Sequence, residues 1–151
     1  MRAVVQRVAS ASVLLGDTLE TVGAIQGGLL AYIGVVKGDT PSDTRWMAEK
    51  IAGLRIFQDA EDKMNRSIGE AGGQMLLVSQ FTLGADARKG RRPSFNNAED
   101  PEVAEGYLDE LVGSLRGMGF EVATGRFGAR MIVRCDVDGP VTILLDSRKL
   151  F

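Results

Sequence analysis

The chain has 151 residues, 44% hydrophobic and 25% charged, the size and make-up of one ordinary globular domain and not of a disordered segment. Eighteen Lys and Arg against 20 Asp and Glu leave a net charge of −2, too balanced for a protein that coats nucleic acid by charge alone. One cysteine, Cys135, and no histidine exclude a disulfide framework, cysteine-rich or imidazole zinc sites, and the Ser-His-Asp and Cys-His catalytic designs.

The opening MRAVVQRVAS has no apolar core of signal-peptide length, so a cytoplasmic protein is expected. Arg2 to Ala9 and Ala11 to Leu15 are Val-rich runs without helical period and read as strands. Gly16-Asp17 looks like a hairpin turn, with Thr18 to Ile25 as the returning strand. Leu29 to Val36 is apolar on both faces, which suits a central buried strand. It lies within the longest apolar stretch, Gly27 to Val36, which is too short to span a bilayer; no membrane partner is expected. Thr40-Pro41 then supplies an N-cap and a proline at the first helical position, and Trp46, Met47, Ile51 and Leu54 follow at helical spacing.

Arg55 to Gln58 reads as a brief extended piece before an acidic turn at Asp59, Glu61 and Asp62, and Gln74 to Gln80 as another buried strand. Asp100-Pro101 opens a second helix, whose Val103, Tyr107, Leu108, Leu111, Val112 and Leu115 form one apolar stripe. Gly117 and Gly119 stop it. Three strands close the chain: Phe120 to Thr124, Arg130 to Cys135 and Val141 to Asp146. No repeat or linker divides residues 1–151, and Gly is frequent, 19 residues spread as turn punctuation. The pattern predicts a single α+β domain: a curled, barrel-like, mostly antiparallel sheet with two amphipathic helices on one side.

Four segments are candidates for chemistry. Ser79-Gln80-Phe81-Thr82-Leu83 lies where a buried strand gives way to a polar loop; it either aims backbone N–H groups and hydroxyls at a ligand or simply caps a turn. Arg88-Lys89-Gly90-Arg91-Arg92 puts four cations in five residues, a phosphate-binding patch or a solvated loop offset by Glu99, Asp100 and Glu102. Asp138-Gly139-Pro140-Val141-Thr142 is by composition a tight turn, or else a rigid loop presenting carbonyls. Gly125-Arg126-Phe127-Gly128 reads as a loop, since no helix follows it to make a phosphate cradle. Cys135 continues a strand and reads as a core thiol, not a nucleophile.

Taken together these motifs resemble the bacterial-type D-aminoacyl-tRNA deacylases, the D-tyrosyl-tRNA deacylase family. The resemblance runs through essentially the whole chain: Met1-Arg2-Ala3-Val4-Val5-Gln6-Arg7-Val8, Leu54-Arg55-Ile56-Phe57, Lys63-Met64-Asn65, Val78-Ser79-Gln80-Phe81-Thr82-Leu83, Arg88 to Phe95, Thr124 to Ala129, and Asp138-Gly139-Pro140-Val141-Thr142. The SQFTL and GPVT segments match the family's two signatures. Val137 departs from the pattern, standing where the second signature usually has an asparagine that could brace the loop.

The resemblance implies an editing hydrolase that cleaves the ester of D-aminoacyl-tRNA without metal or cofactor. It further implies a homodimer in which each subunit's Gly139-Pro140 segment, joined by a cis bond, enters the partner's site. There the Gly139 and Pro140 carbonyls would hold the α-amino group and exclude L-residues. Glycine, lacking a chiral centre, would also pass, so glycyl-tRNA mischarged on tRNA(Ala) is a second implied substrate. Ser79, Gln80, Phe81 and Thr82 are the catalytic segment, with N–H groups around Phe81 and Thr82 stabilising the oxyanion. The 2′-hydroxyl of the terminal adenosine would activate water; the rival is a Thr82 nucleophile. Phe127 and Met131 are candidates to pack on that adenine, and Arg88, Lys89, Arg91 and Arg92 to contact the tRNA backbone, with no DNA partner expected. Two other possibilities stand beside this one: a non-catalytic RNA-binding module using the Arg88–Arg92 loop, and a hydrolase of free D-amino-acid esters.

Overall fold

A computed structural model describes residues 1–151. Its first strand, β1 (Arg2–Leu15), is the axis of the molecule. Strand β8 (Met131–Asp146) runs antiparallel along one edge of β1, from Arg2 opposite Asp146 to Leu15 opposite Met131. Strands β2 (Thr21–Ile25) and β3 (Gly28–Gly34) share the other edge end to end, β2 opposite Ala11–Leu14 and β3 opposite Arg2–Val8. Beyond β3 lie β6 (Gln74–Ser79) and β7 (Val122–Thr124), each parallel to its neighbour.

The sheet is therefore mostly antiparallel, as expected, but not purely so: two of its pairings, β3 with β6 and β6 with β7, are parallel. Parallel neighbours need long crossovers. The two helices that the sequence reading treats as a cover supply them: α1 (Pro41–Gly53) lies between β3 and β6, and α3 (Pro101–Gly117) between β6 and β7. Between α1 and β6 the chain also forms a hairpin, β4 (Phe57–Gln58) with β5 (Met64–Arg66), and a single helical turn, α2 (Ile68–Ala71).

Alternation along the strands builds two cores. Leu29, Ala31 and Ile33 of β3 and Met75 and Leu77 of β6 face one way, onto Met47, Ala48 and Ile51 of α1 and Leu108, Leu111 and Leu115 of α3. Leu30, Leu76 and Val78 face the other way, with Val8, Ala11, Val13 and Ile25. The sheet curls around this second core until β2 meets β7: a Cβ on Gly23 would lie 2.2 Å from the Thr124 carbonyl oxygen, an approach only glycine permits.

Asp39 is a buried charge that the sequence reading does not single out. It accepts hydrogen bonds from the Met1 ammonium at 2.6 Å, from Arg148 at 3.0 Å and from the Val36 N–H at 2.8 Å. Cys135 corrects the core-thiol expectation: it is exposed on β8. No helix is long and apolar enough to cross a membrane.

Candidate active site

At the C-terminal end of β6 the chain turns into a short 3-10 helix, Phe81–Gly84. Three features fix it. The Gln80 N–H donates to the Ile33 carbonyl of β3 at 2.7 Å. Arg2 Nη1 donates to the Leu83 carbonyl at 2.8 Å, while Arg2 Nε holds Asp146 of β8 at 3.1 Å. Gly34, the last residue of β3, leaves the space in which the turn sits, for a Cβ there would lie 2.8 Å from Leu83 Cβ and 2.9 Å from the Gln80 oxygen. Phe81 and Thr82 head the helix, so their N–H groups have no acceptor within it, and neither makes a backbone hydrogen bond elsewhere. Gln80 Nε2 donates to the Thr82 hydroxyl.

The turn borders a cavity of about 500 Å³. Ser79, Gln80 and Phe81 form one wall, the start of α3 with Ala98 and Glu99 a second, and Phe127, Met131 and Val133 a third. The second wall is placed by backbone pairing, with the Glu99 N–H donating to the Val35 carbonyl at 3.1 Å and Lys37 N–H to Asn97 at 2.9 Å. Eleven of the sixteen lining residues are hydrophobic, and Glu99 is the one ionisable group among them. A concave apolar pocket with a few fixed polar groups is the usual form of a small-ligand site. No group of three or more His, Cys, Asp or Glu side chains gathers where it could hold a metal ion.

The candidate residues thus divide. Ser79, Gln80, Phe81, Phe127 and Met131 come together around the cavity, with Thr82 in the turn beside it. Arg88, Lys89, Arg91 and Arg92 do not line it. They occupy an exposed loop closed by paired hydrogen bonds between Asp86 and Ser94, at 2.8 and 2.9 Å. The base of this loop reaches the cavity through Phe95, whose ring meets Phe81 edge-on at 5.3 Å. Arg88 is not free: its Nε and Nη2 donate to both Asp86 oxygens, at 2.8 and 2.6 Å. Those hydrogen bonds hold the Asp86 carboxyl well below the usual carboxylate range and raise Arg88 in turn. Lys89, Arg91 and Arg92 remain as exposed cations.

Gly139 and Pro140, joined by a cis bond, stand apart from the cavity of their own chain. The turn and pair of separate strands expected here are corrected: β8 is one strand through this region because β1 pairs along both of its halves, with a second, smaller irregularity between Val8 and Ser10. Between the pairs Gln6–Thr142 and Val8–Val137, Arg7 faces the four residues Asp138–Val141, which bulge outward. Arg7 is buried and braces the bulge; its Nη1 donates to the Ile56 carbonyl at 2.7 Å, and its Nε lies 2.8 Å from Asp138 Oδ2 without hydrogen-bond geometry. Val137 is half-buried and paired opposite Val8. Arg2 and Gly34 position the turn, Arg7 braces the bulge and Glu99 lines the cavity; the sequence reading picks out none of the four as a candidate site residue.

Comparison with known proteins comes from three directions. The family model described as D-Tyr-tRNA(Tyr) deacylase matches residues 4–146. A D-aminoacyl-tRNA deacylase of Roseiflexus sp. (strain RS-1) is 57% identical over 147 residues, covering 97% of this chain and 94% of its own. One from Desulfitobacterium hafniense (strain DSM 10664 / DCB-2) is 54% identical over the full length of both. Among solved structures, a protein named c-Myc DNA Unwinding Element Binding Protein superposes with a TM-score of 0.90 at 39% identity, covering 97% of this chain and 98% of that one. A probable eukaryotic D-amino acid tRNA deacylase, with a TM-score of 0.81 at 20% identity over 95% of this chain and 97% of that one, shares the fold.

Proposed function

This chain belongs to the D-Tyr-tRNA(Tyr) deacylase family and hydrolyses the ester of D-aminoacyl-tRNA, and on that premise we propose how its residues carry the reaction. The substrate's ester lies against the Phe81–Gly84 turn. Water attacks the carbonyl carbon, the bond from that carbon to the ribose oxygen breaks, and a proton passes to that oxygen, giving free D-amino acid and tRNA. As the tetrahedral intermediate forms, the free N–H groups of Phe81 and Thr82 meet its oxyanion in a water-poor, apolar surround, where such donors are strongest. Those two unpaired N–H groups at the edge of the cavity are the observation that carries the mechanism.

Thr82 supports the turn and does not attack. Its hydroxyl accepts from Gln80, and no histidine exists to take its proton. Water activation falls to the 2′-hydroxyl of the substrate's own terminal ribose. Phe127 and Met131 pack on the adenine. Lys89, Arg91 and Arg92 hold the tRNA backbone, with Arg88 tied to Asp86. Glycyl-tRNA, presenting no side chain to exclude, is accepted as well, and the enzyme works in the cytoplasm.

The chiral selector comes from a second copy of the chain. Gly139 and Pro140 are exposed and absent from their own subunit's cavity. The edge of β8 away from β1 pairs with no strand of the same chain, and Ile132 and Leu144 stand exposed along β8. A homodimer joined through β8 covers this surface and delivers the Gly139 and Pro140 carbonyls to the α-ammonium of the substrate.

Side-by-side hydrolysis of D-tyrosyl-tRNA and L-tyrosyl-tRNA tests the reading. Loss of the D form alone is expected. Loss of both would refute the chiral selector, and binding without hydrolysis would favour the RNA-binding module. Equal rates on free D-tyrosyl esters would make the tRNA incidental. Thr82→Ala should keep most of its kcat; collapse of the rate with an acyl-enzyme trapped in the parent would restore the nucleophile.

A further inference from the structure

We propose that Glu99 is a specificity-determining residue that accepts a hydrogen bond from the exocyclic amine of the substrate's terminal adenine. This rests on the cavity being the site of the aminoacyl end, as argued above. Glu99 is half-buried and lines the cavity next to Ala98 and Pro101, together with Phe127 and Met131. One of its oxygens, Oε1, accepts the Asp100 N–H at 3.0 Å. The other, Oε2, has no hydrogen bond and no basic partner in the chain. Oε2 is not sealed off from solvent, which leaves it open to a ligand that brings a donor.

The backbone pairing that places this wall also fixes the carboxylate. The Val35–Glu99 and Lys37–Asn97 hydrogen bonds lock the segment against the end of β3, so Glu99 faces the cavity from a rigid base.

The aminoacyl end of a tRNA is rich in negative charge and offers few donors. Its α-ammonium is matched to the carbonyls of the partner's Gly139-Pro140 segment, and its 2′-hydroxyl is engaged in activating water. The adenine amine remains. A carboxylate accepts only; it suits the N6 amine of adenine and opposes the O6 oxygen that guanine carries at the same place. With the base between Phe127 and the start of α3, the Glu99 contact sets the rotation of the nucleoside and hence where the ester meets the turn.

The test uses two non-hydrolysable ligands, measured by calorimetry on the intact protein. One is the D-tyrosyl amide of 3′-amino-3′-deoxyadenosine. The other is the same amide on the purine ribonucleoside that lacks the exocyclic amine. A hydrogen bond to a charged group predicts that the parent binds the adenine ligand at least about tenfold more tightly. Glu99→Ala should bind both alike, at the weaker level, and Glu99→Gln, whose amide oxygen still accepts, should keep part of the preference. A parent without preference, or a preference that survives in Glu99→Ala, overturns the assignment and leaves the proposed function standing. If neither ligand binds to protein that still hydrolyses D-tyrosyl-tRNA, the cavity is not the nucleoside site and both assignments fall.

Discussion

Replacing Gly34 by alanine tests whether the placement of the Phe81–Gly84 turn governs the rate. The added methyl would lie 2.8 Å from Leu83 Cβ and 2.9 Å from the Gln80 carbonyl oxygen, whereas ordinary contact begins at 3.4 Å. The turn, gripped from the other side by Arg2, must therefore yield by about half an ångström. Loss of one whole oxyanion donor costs about 100- to 1,000-fold in kcat. A displaced pair should cost roughly tenfold or more in kcat with little change in KM, and overpacking should lower stability by about 1–3 kcal/mol. Steady-state kinetics on D-tyrosyl-tRNA and urea unfolding read the two effects separately. Gly113→Ala is the control: its Cβ meets nothing within 4 Å in the middle of α3, so it should gain about 1 kcal/mol and keep its rate. A Gly34→Ala enzyme that loses stability while retaining kcat within about twofold would refute the dependence on turn position.

Three other outcomes follow from charges. Asp39→Asn strips the counter-charge from the buried Met1 ammonium and from Arg148, and breaking such a buried pair from one side costs about 3–5 kcal/mol, readable as a lower urea midpoint. Burial raises Asp43, but hydrogen bonds from Ser147 and Thr40 outweigh it and hold the carboxyl at about 2. With the folded value depressed, its contribution is present above about pH 4 and drains away as pH falls towards 2; Asp43→Asn should flatten the midpoint-against-pH curve there. Replacing Lys89, Arg91 and Arg92 together by Gln should reduce the log–log salt slope of tRNA binding by roughly 2 to 3, whereas Arg88→Gln, already neutralised by Asp86, should hardly alter it.

Local patterns were legible where they met a local cause. Thr40-Pro41 and Asp100-Pro101 open α1 and α3 where the capping signals put them, and the unbroken apolar runs of β3 and β6 are buried on both faces. Pairing was less so. Nothing in the composition of β6 says that β3 lies beside it in parallel, because that neighbour is chosen by a crossover of some forty residues. The α2 turn did carry a signal, the Ser67–Glu70 capping box, in which each side chain accepts from the other's backbone N–H. Four residues are too few to show periodicity, so it passes as loop. Gly139-Pro140 spells a turn in isolation; only the unbroken partner strand on either side of Arg7 makes it a bulge. Of the site, the turn residues and the aromatic wall were visible as motifs. Gly34 and Glu99 were not, since one acts by an absent side chain and the other by its place in a wall that folding assembles.

The pairing of β1 with β8 also sets the timing of folding. The strand at the centre of the sheet is made first, and the strand that covers one whole edge of it more than a hundred residues later. At usual ribosomal speeds that edge waits roughly 7–25 s for its partner. During that interval an apolar, Val-rich template is open to any extended segment, the circumstance in which strands mispair. The Gly139-Pro140 bulge belongs to that late strand, so it takes its shape only once β8 has paired with β1 on either side of Arg7.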